Sequence, residues 1–239
     1  MRGRTVLWVS MVLAPICAAP ASWAGTVGYW DEVVASIFPV RADMQGYPVN
    51  CTGWFVEPSD DQPAATSVYV TAGHCGTPHV VEAFGSAALE RTLSRGRVAN
   101  GTDAAVGVRH DDRRQRVFLR LSTAAPEPGE PALTAGWPGT HLMAARLVFR
   151  RTRADGLVEY RSDLALQGGI SGAPIVSLRT GRVIAIVAGF RLLDRHVPDY
   201  RTIVATPAAA ARGLLNVAVP IETKMPAPAL RAPAAFPVP

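Results

Sequence analysis

Lysine is nearly absent from this chain of 239 residues: Lys224 stands alone, and arginine carries almost all of the positive charge. Charged residues make up only 18% and aromatic residues only 7%, so long solvated helices and aromatic stacking platforms are poorly supplied. The formal charge of +5 invites a nucleic-acid reading. The arginines are scattered, however, and acids accompany them, as in "HDDRRQR". No basic stripe interleaves with aromatics, so the charge reads as a solvated surface and nucleic acid is not an expected partner. After the first 24 residues no apolar run is long enough to span a bilayer. Helical periodicity is weak throughout, and no segment repeats at a fixed period.

The N-terminus does carry a pattern. Arg2 and Arg4 precede an apolar run from Val6 to Ala19, and "ASWAG" offers Ser22 and Ala24 at the −3 and −1 positions of a cleavage site. This is the layout of a secretory signal peptide over residues 1–24, cut after Ala24, which predicts a secreted or periplasmic protein with no membrane partner once the signal is removed. Of three cysteines, Cys17 falls in that segment and Cys51 and Cys75 remain. Two cysteines in an exported chain favour a disulfide, which would close a loop of about 25 residues and contribute about 3 kcal/mol. A metal site from Cys51, His74, Cys75 and His79 is the competing reading. Adjacent His74 and Cys75 fit poorly on one tetrahedral ion, and the paired spacing of zinc sites is missing, so no metal is expected.

The body of the chain, residues 25–219, reads as short strands separated by turn signals, which predicts an all-β barrel or sandwich. "CTGWFVEP", "SVYVTAGHC", "HVVEAFG", "GRVAN", "DAAVGVRH" and "RVFLRL" supply strands in the first half. The Pro-rich "STAAPEPGEPA" reads as a crossing between two halves. Further strands follow: "LTAGW", the run from Met143 to Thr152, a hairpin at Asp155-Gly156, and "APIVSL" with "RVIAIVAGF". "GTVGYWDEVVASIFPV" reads equally as an N-terminal arm, a first strand or a propeptide. "TPAAAARGLLNVAV" predicts one C-terminal helix, capped by Thr206 with Pro207 in its first turn. Residues 220–239, rich in Pro and Ala, predict a disordered tail.

"LQGGISGAPIV" crowds three glycines around Ser171. A serine hydroxyl is a poor nucleophile unless a base takes its proton and an acid orients that base. It also needs donors for the oxyanion, and the N–H groups of Gly169 and Ser171 are candidates. A strained turn feeding a buried strand is the competing reading. His74 in "VYVTAGHC" is the candidate base, since a strand, a glycine turn and the expected disulfide would hold it rigidly. His79, His110, His141 and His196 lie in polar, loop-like contexts. Asp103 opens an apolar run at the lip of a core, where a carboxylate needs a hydrogen-bond donor such as a histidine N–H. Asp111 and Asp112 sit among arginines in a solvated loop.

These stretches resemble the trypsin-like (chymotrypsin-fold) serine proteases. "TAGHC" at 71–75 is similar to that family's histidine motif, "DAAV" at 103–106 to its aspartate motif, and "GGISGAP" at 168–174 to its nucleophile motif, in the family's order His, Asp, Ser. "NCTGWFV" resembles the strand whose cysteine pairs with the one after the histidine, and "AGWPG" at 135–139 resembles a turn of bacterial members. The resemblance covers about Val40 to Ile203. It implies two antiparallel six-stranded β-barrels, at about 40–116 and 117–205, a triad of His74, Asp103 and Ser171, an oxyanion hole at Gly169 and Ser171, no cofactor, and protein or peptide substrates. It places Ala165 at the floor of a specificity pocket and Ala188, Gly189 and Phe190 along its wall. No acid stands at Ala165, so a preference for Arg or Lys is not implied. Ile170 stands where animal digestive members have an aspartate that receives a new N-terminus, which leaves open how the oxyanion turn is held. An inactive peptide-binding relative is the alternative function. An esterase of the α/β-hydrolase fold is disfavoured by Ala173 and by the triad order.

Overall fold

The computed structural model describes residues 24–44, 47–57, 66–75, 102–110, 117–194 and 197–218. The signal segment before Ala24, the strand readings at "HVVEAFG" and "GRVAN", the loop at 111–116 and the tail at 220–239 lie outside them.

The first sheet is antiparallel and runs β1 (Ile37–Met44), β2 (Tyr47–Phe55), β3 (Thr66–Thr71) and β4 (Ala105–His110), in that order across the sheet. Hairpin register pairs Val40 with Cys51, and Thr71 at the end of β3 faces Ala105 at the start of β4. The second unit is a closed antiparallel barrel of β5 (Pro131–Gly136), β6 (Met143–Thr152), β7 (Val158–Ser162), β8 (Pro174–Ser177), β9 (Val183–Asp194) and β10 (Val197–Pro207). Its order is β10-β7-β6-β5-β8-β9.

Alternation explains β6 well. Ala145, Leu147 and Phe149 point into the barrel while Arg146, Val148 and Arg150 face out, the period of two that a half-buried strand requires. The β6–β7 hairpin turns at Asp155-Gly156, with Gly156 at φ +82. Strands β8 and β9 form the buried hairpin expected from "APIVSL" and "RVIAIVAGF". The crossing is anchored by Glu130, whose buried carboxylate accepts hydrogen bonds from the Ser177 hydroxyl and the Glu127 N–H.

Four segments differ from the sequence expectations. The ambiguous stretch after the signal is a helix, α1 (Ala24–Ser36), leading directly into β1. Its Trp30 and Val33, with Ile37 beyond, recur at helical spacing and pack on the core shared by both sheets. "RVFLRL" forms no strand over its described residues; Leu119 and Leu121 make single bridges to Val56 and Val183 as the chain crosses between units. "VPDYRTIVATP", not read as a strand, is β10, which closes the barrel. The C-terminal helix is present as α2 (Ala208–Ala218), but Thr206 belongs to β10 and its hydroxyl is engaged elsewhere. Among the described residues no helix is long and apolar enough to cross a membrane.

Tyr160 is fully buried, edge-on to Phe149 with ring centroids 5.4 Å apart, and its hydroxyl has no hydrogen-bond partner among the described residues. Burial, with the Glu130 charge adding to it, pushes its phenol well above the usual value. A buried hydroxyl without a partner costs desolvation and returns nothing. Tyr160→Phe is therefore expected to unfold thermally at or above the wild-type temperature; a loss of more than about 1 kcal/mol in denaturant titration would show the hydroxyl to be satisfied after all.

Candidate active site

The end of β3 and the start of β4 lie side by side, and this places His74 against Asp103. After Thr71 the chain makes a single 3-10 turn, Gly73–Cys75. Asp103 precedes β4 by two residues. Its Oδ1 accepts the His74 backbone N–H at 2.8 Å, and its Oδ2 lies 2.7 Å from the His74 Nδ1. An ionised carboxylate only accepts, so Nδ1 is the donor of this bond, and in the neutral ring Nε2 keeps its lone pair. The Asp103 N–H donates to the Thr206 hydroxyl of β10 at 2.8 Å, so a strand of the barrel buttresses an acid of the first sheet.

The other side of the His74 turn is fastened by the Cys51–Cys75 disulfide, with Cα atoms 6.4 Å apart. Cys51, His74 and Cys75 bring their sulfur and ring nitrogen atoms within 4.8 Å of one another. With the two sulfurs bonded to each other, neither has a thiolate to offer a metal. His79, the fourth residue of the metal reading, lies outside the described residues.

The turn from Gly168 to Gly172 is pressed against the same spot. Thr52, next to Cys51, donates its backbone N–H to the Ser171 carbonyl at 2.7 Å. Gly172 has φ +88, and a Cβ there would lie 2.1 Å from the Thr52 carbonyl oxygen, 2.5 Å from the Thr71 Oγ1 and 2.7 Å from the Ala72 nitrogen. Ser171 therefore stands beside the end of β3 at Thr71, which carries His74 three residues further on. Behind it, Gly172 donates to the Val187 carbonyl at 2.7 Å and Ala173 to the Ile170 carbonyl at 3.0 Å. Ile170 is fully buried in the barrel core. This apolar anchor occupies the position whose holding role the sequence left open. Gly169 adopts φ +98, and neither its N–H nor that of Ser171 donates to any of the described residues.

Beside Asp103 opens a cleft of about 820 Å³. Ala188, Gly189 and Phe190 line it, as does the β6–β7 hairpin through Arg151, Arg153 and Glu159. Phe190 leans edge-on against Tyr200, 5.0 Å between centroids. Ala165 is exposed and stands outside this lining. Glu159, buried to 5% exposure, is paired with Arg151 at 2.8 Å and holds that guanidinium more firmly protonated. Asp199 is held below the usual carboxylate value by the Thr202 hydroxyl, then by the Arg201 N–H and by Arg161 and Arg191. Arg191 itself faces the cleft. The cleft thus pairs an apolar β9 wall with a charged rim.

Two contributors to this arrangement were not singled out for it in the sequence. Thr52 is an ordinary strand residue by composition, and only its place beside Cys51 hints at a role. Thr206 reads as a helix cap because a Pro and a helix follow it; the sheet claims its hydroxyl instead.

No protein-family model matches the chain, and no curated protein matches it in sequence. Solved structures do match. The active form of the Rv3671c protease from M. tuberculosis aligns with a TM-score of 0.60 at 15% identity, over 88% of this chain and 93% of that one. A serine endoprotease from Yersinia pestis aligns at 0.61 and 17% identity, over 84% of this chain and 68% of that one. The thermostable serine protease AL20 aligns at 0.58 and 15% identity, over 77% and 97%. With a closed barrel, a second antiparallel sheet, a C-terminal helix and these structural neighbours, the chain has the chymotrypsin-like fold of the trypsin-like serine proteases.

Proposed function

We propose that the chain is an exported serine endopeptidase acting on protein or peptide substrates. The observation that carries this reading is the His74–Asp103 pair, 2.7 Å apart, set beside a glycine turn that presents Ser171 with two N–H groups that donate to none of the described residues. The three structural neighbours, a protease, a serine endoprotease and a serine protease, support it. So does the N-terminal signal pattern, which suits a mature chain starting near Gly25 with one protease domain to about 219 and a tail beyond.

In the mechanism, the Ser171 Oγ attacks a peptide carbonyl while the His74 Nε2 takes its proton. Asp103 holds the ring in the required tautomer and stabilises the imidazolium. The N–H groups of Gly169 and Ser171 receive the oxyanion. Collapse breaks the C–N bond, and His74 returns the proton to the leaving amine. Water, deprotonated by His74, then cleaves the acyl-enzyme and restores the serine. No step requires a cofactor.

A fluorophosphonate probe tests the reading. The wild type is expected to label at one site, and Ser171→Ala to show no labelling while keeping its circular dichroism. A well-folded wild type that does not label would leave the peptide-binding alternative in its place.

A further inference from the structure

The Thr52 side chain is fully buried at the junction of three segments distant in sequence. Its hydroxyl donates to the Gly169 carbonyl at 3.0 Å and accepts the Trp137 N–H at 2.9 Å. Gly169 has no side chain to hold it and takes a φ of +98 that few other residues adopt. Its backbone is confined instead by neighbours: a Cβ there would lie 2.7 Å from the Pro138 Cα and 3.3 Å from the Trp137 oxygen. Around the hydroxyl there is no spare room. A Cβ on Gly136 would stand 2.7 Å from the Thr52 Oγ1 and 2.9 Å from the Ile170 Cγ1. The same residue fixes the serine through its backbone, since the Thr52 N–H holds the Ser171 carbonyl and the Thr52 carbonyl accepts the Thr71 hydroxyl at 2.8 Å.

We infer that Thr52 is a positioning residue for the oxyanion site, its hydroxyl clamping the Gly169 carbonyl to the Trp137 turn so that the Gly169 N–H stays aligned with that of Ser171. This rests on the protease reading of Ser171. A trans peptide carries its N–H and C=O in opposite directions, so the Ala173 bond to the Ile170 carbonyl orients the Ser171 N–H from behind. The Gly169 carbonyl belongs to the peptide that lies between the planes of the Gly169 and Ser171 N–H groups, and no backbone N–H of the described residues donates to it, so the Thr52 hydroxyl is what fixes that intervening plane and with it the angle between the two donors. Donors aimed in advance at a developing charge lose much of their effect when displaced. Because the clamp acts on the transition state and not on the cleft walls, its loss acts on kcat rather than KM.

Thr52→Val keeps the shape and removes the hydroxyl; Thr52→Ser keeps the hydroxyl and loses the methyl. With a quenched fluorescent peptide library as substrate, Thr52→Val is expected to lower kcat roughly 10- to 100-fold with KM within about twofold of wild type. Thr52→Ser is expected to recover most of kcat. In amide hydrogen exchange the Trp137 N–H is expected to exchange at least about tenfold faster in Thr52→Val than in wild type or Thr52→Ser. Full kcat in a folded Thr52→Val, or equal losses in both variants, would overturn the clamp. If Thr52→Val does not fold, Thr52→Ser decides: a kcat far below wild type with unchanged Trp137 exchange overturns it. A wild type without turnover defeats the protease reading alone, and the exchange comparison still decides whether the hydroxyl holds the turn.

Discussion

Asp103→Asn is expected to lower kcat by about 10⁴-fold with the fold intact, the scale on which neutralising a triad carboxylate acts. Both oxygens of Asp103 are committed to His74, one to the backbone N–H and one to the ring Nδ1. An asparagine can satisfy only one of these donors as before. With its oxygen kept on the His74 N–H, its amide nitrogen faces Nδ1 and donates to it. The imidazole then carries its proton on Nε2, and no lone pair points toward Ser171. The change is nearly isosteric, and the Asp103 N–H bond to Thr206 is untouched. Steady-state kinetics on a cleaved peptide, alongside circular dichroism, check it. A kcat within tenfold of wild type would remove Asp103 from the mechanism.

Gly172→Ala is expected to cost stability on a scale few single substitutions reach, roughly 3–5 kcal/mol, and to abolish turnover with it. Two effects combine. The backbone has φ +88, where an L side chain is strained. The added methyl also meets the Thr52 carbonyl, the Thr71 hydroxyl and the Ala72 nitrogen at 2.1–2.7 Å. Two of those atoms are strand backbone or lead directly from it and cannot swing aside as a flexible side chain can. Relief requires the serine turn to part from the strand end that carries His74, which breaks the Thr52 to Ser171 bond. Differential scanning calorimetry is expected to show a fall in Tm of about 10 °C. A variant as stable as wild type would mean that the turn and the strand are less tightly joined than described.

Much of the fold is legible in local sequence. The run from Met143 to Thr152 matches β6 because one face is buried and the other solvated, so residue type alternates along it. The Asp155-Gly156 turn is legible because a positive φ demands a residue of this kind. Helix α1 is not, because Gly25 and Gly28 with several valines oppose a helix locally; packing of Trp30 and Val33 on the core overrides propensity. At the site, His74, Asp103 and Ser171 stand out through motif and order. What supports them does not. Thr52 and Gly169 are 117 residues apart, and Asp103 and Thr206 are 103 apart. A hydroxyl serving so distant a partner leaves no local pattern, and in a strand it looks like any other β-branched residue.

On the proposed reading, the bond from Asp103 to Thr206 bears on when the catalytic pair is complete. One partner stands at the start of a strand of the first sheet and the other on the last of the described strands, so the contact exists only once that strand has joined the barrel. Pairings of such sequence separation form late. On the proposed reading, the acid's support is therefore among the last parts to be installed, and the Ser171 turn also waits for the Thr52 strand to meet it. A partly folded chain then lacks working proteolytic machinery while it is itself most digestible. On that reading, the order of assembly delays proteolytic activity until the most digestible intermediates have folded.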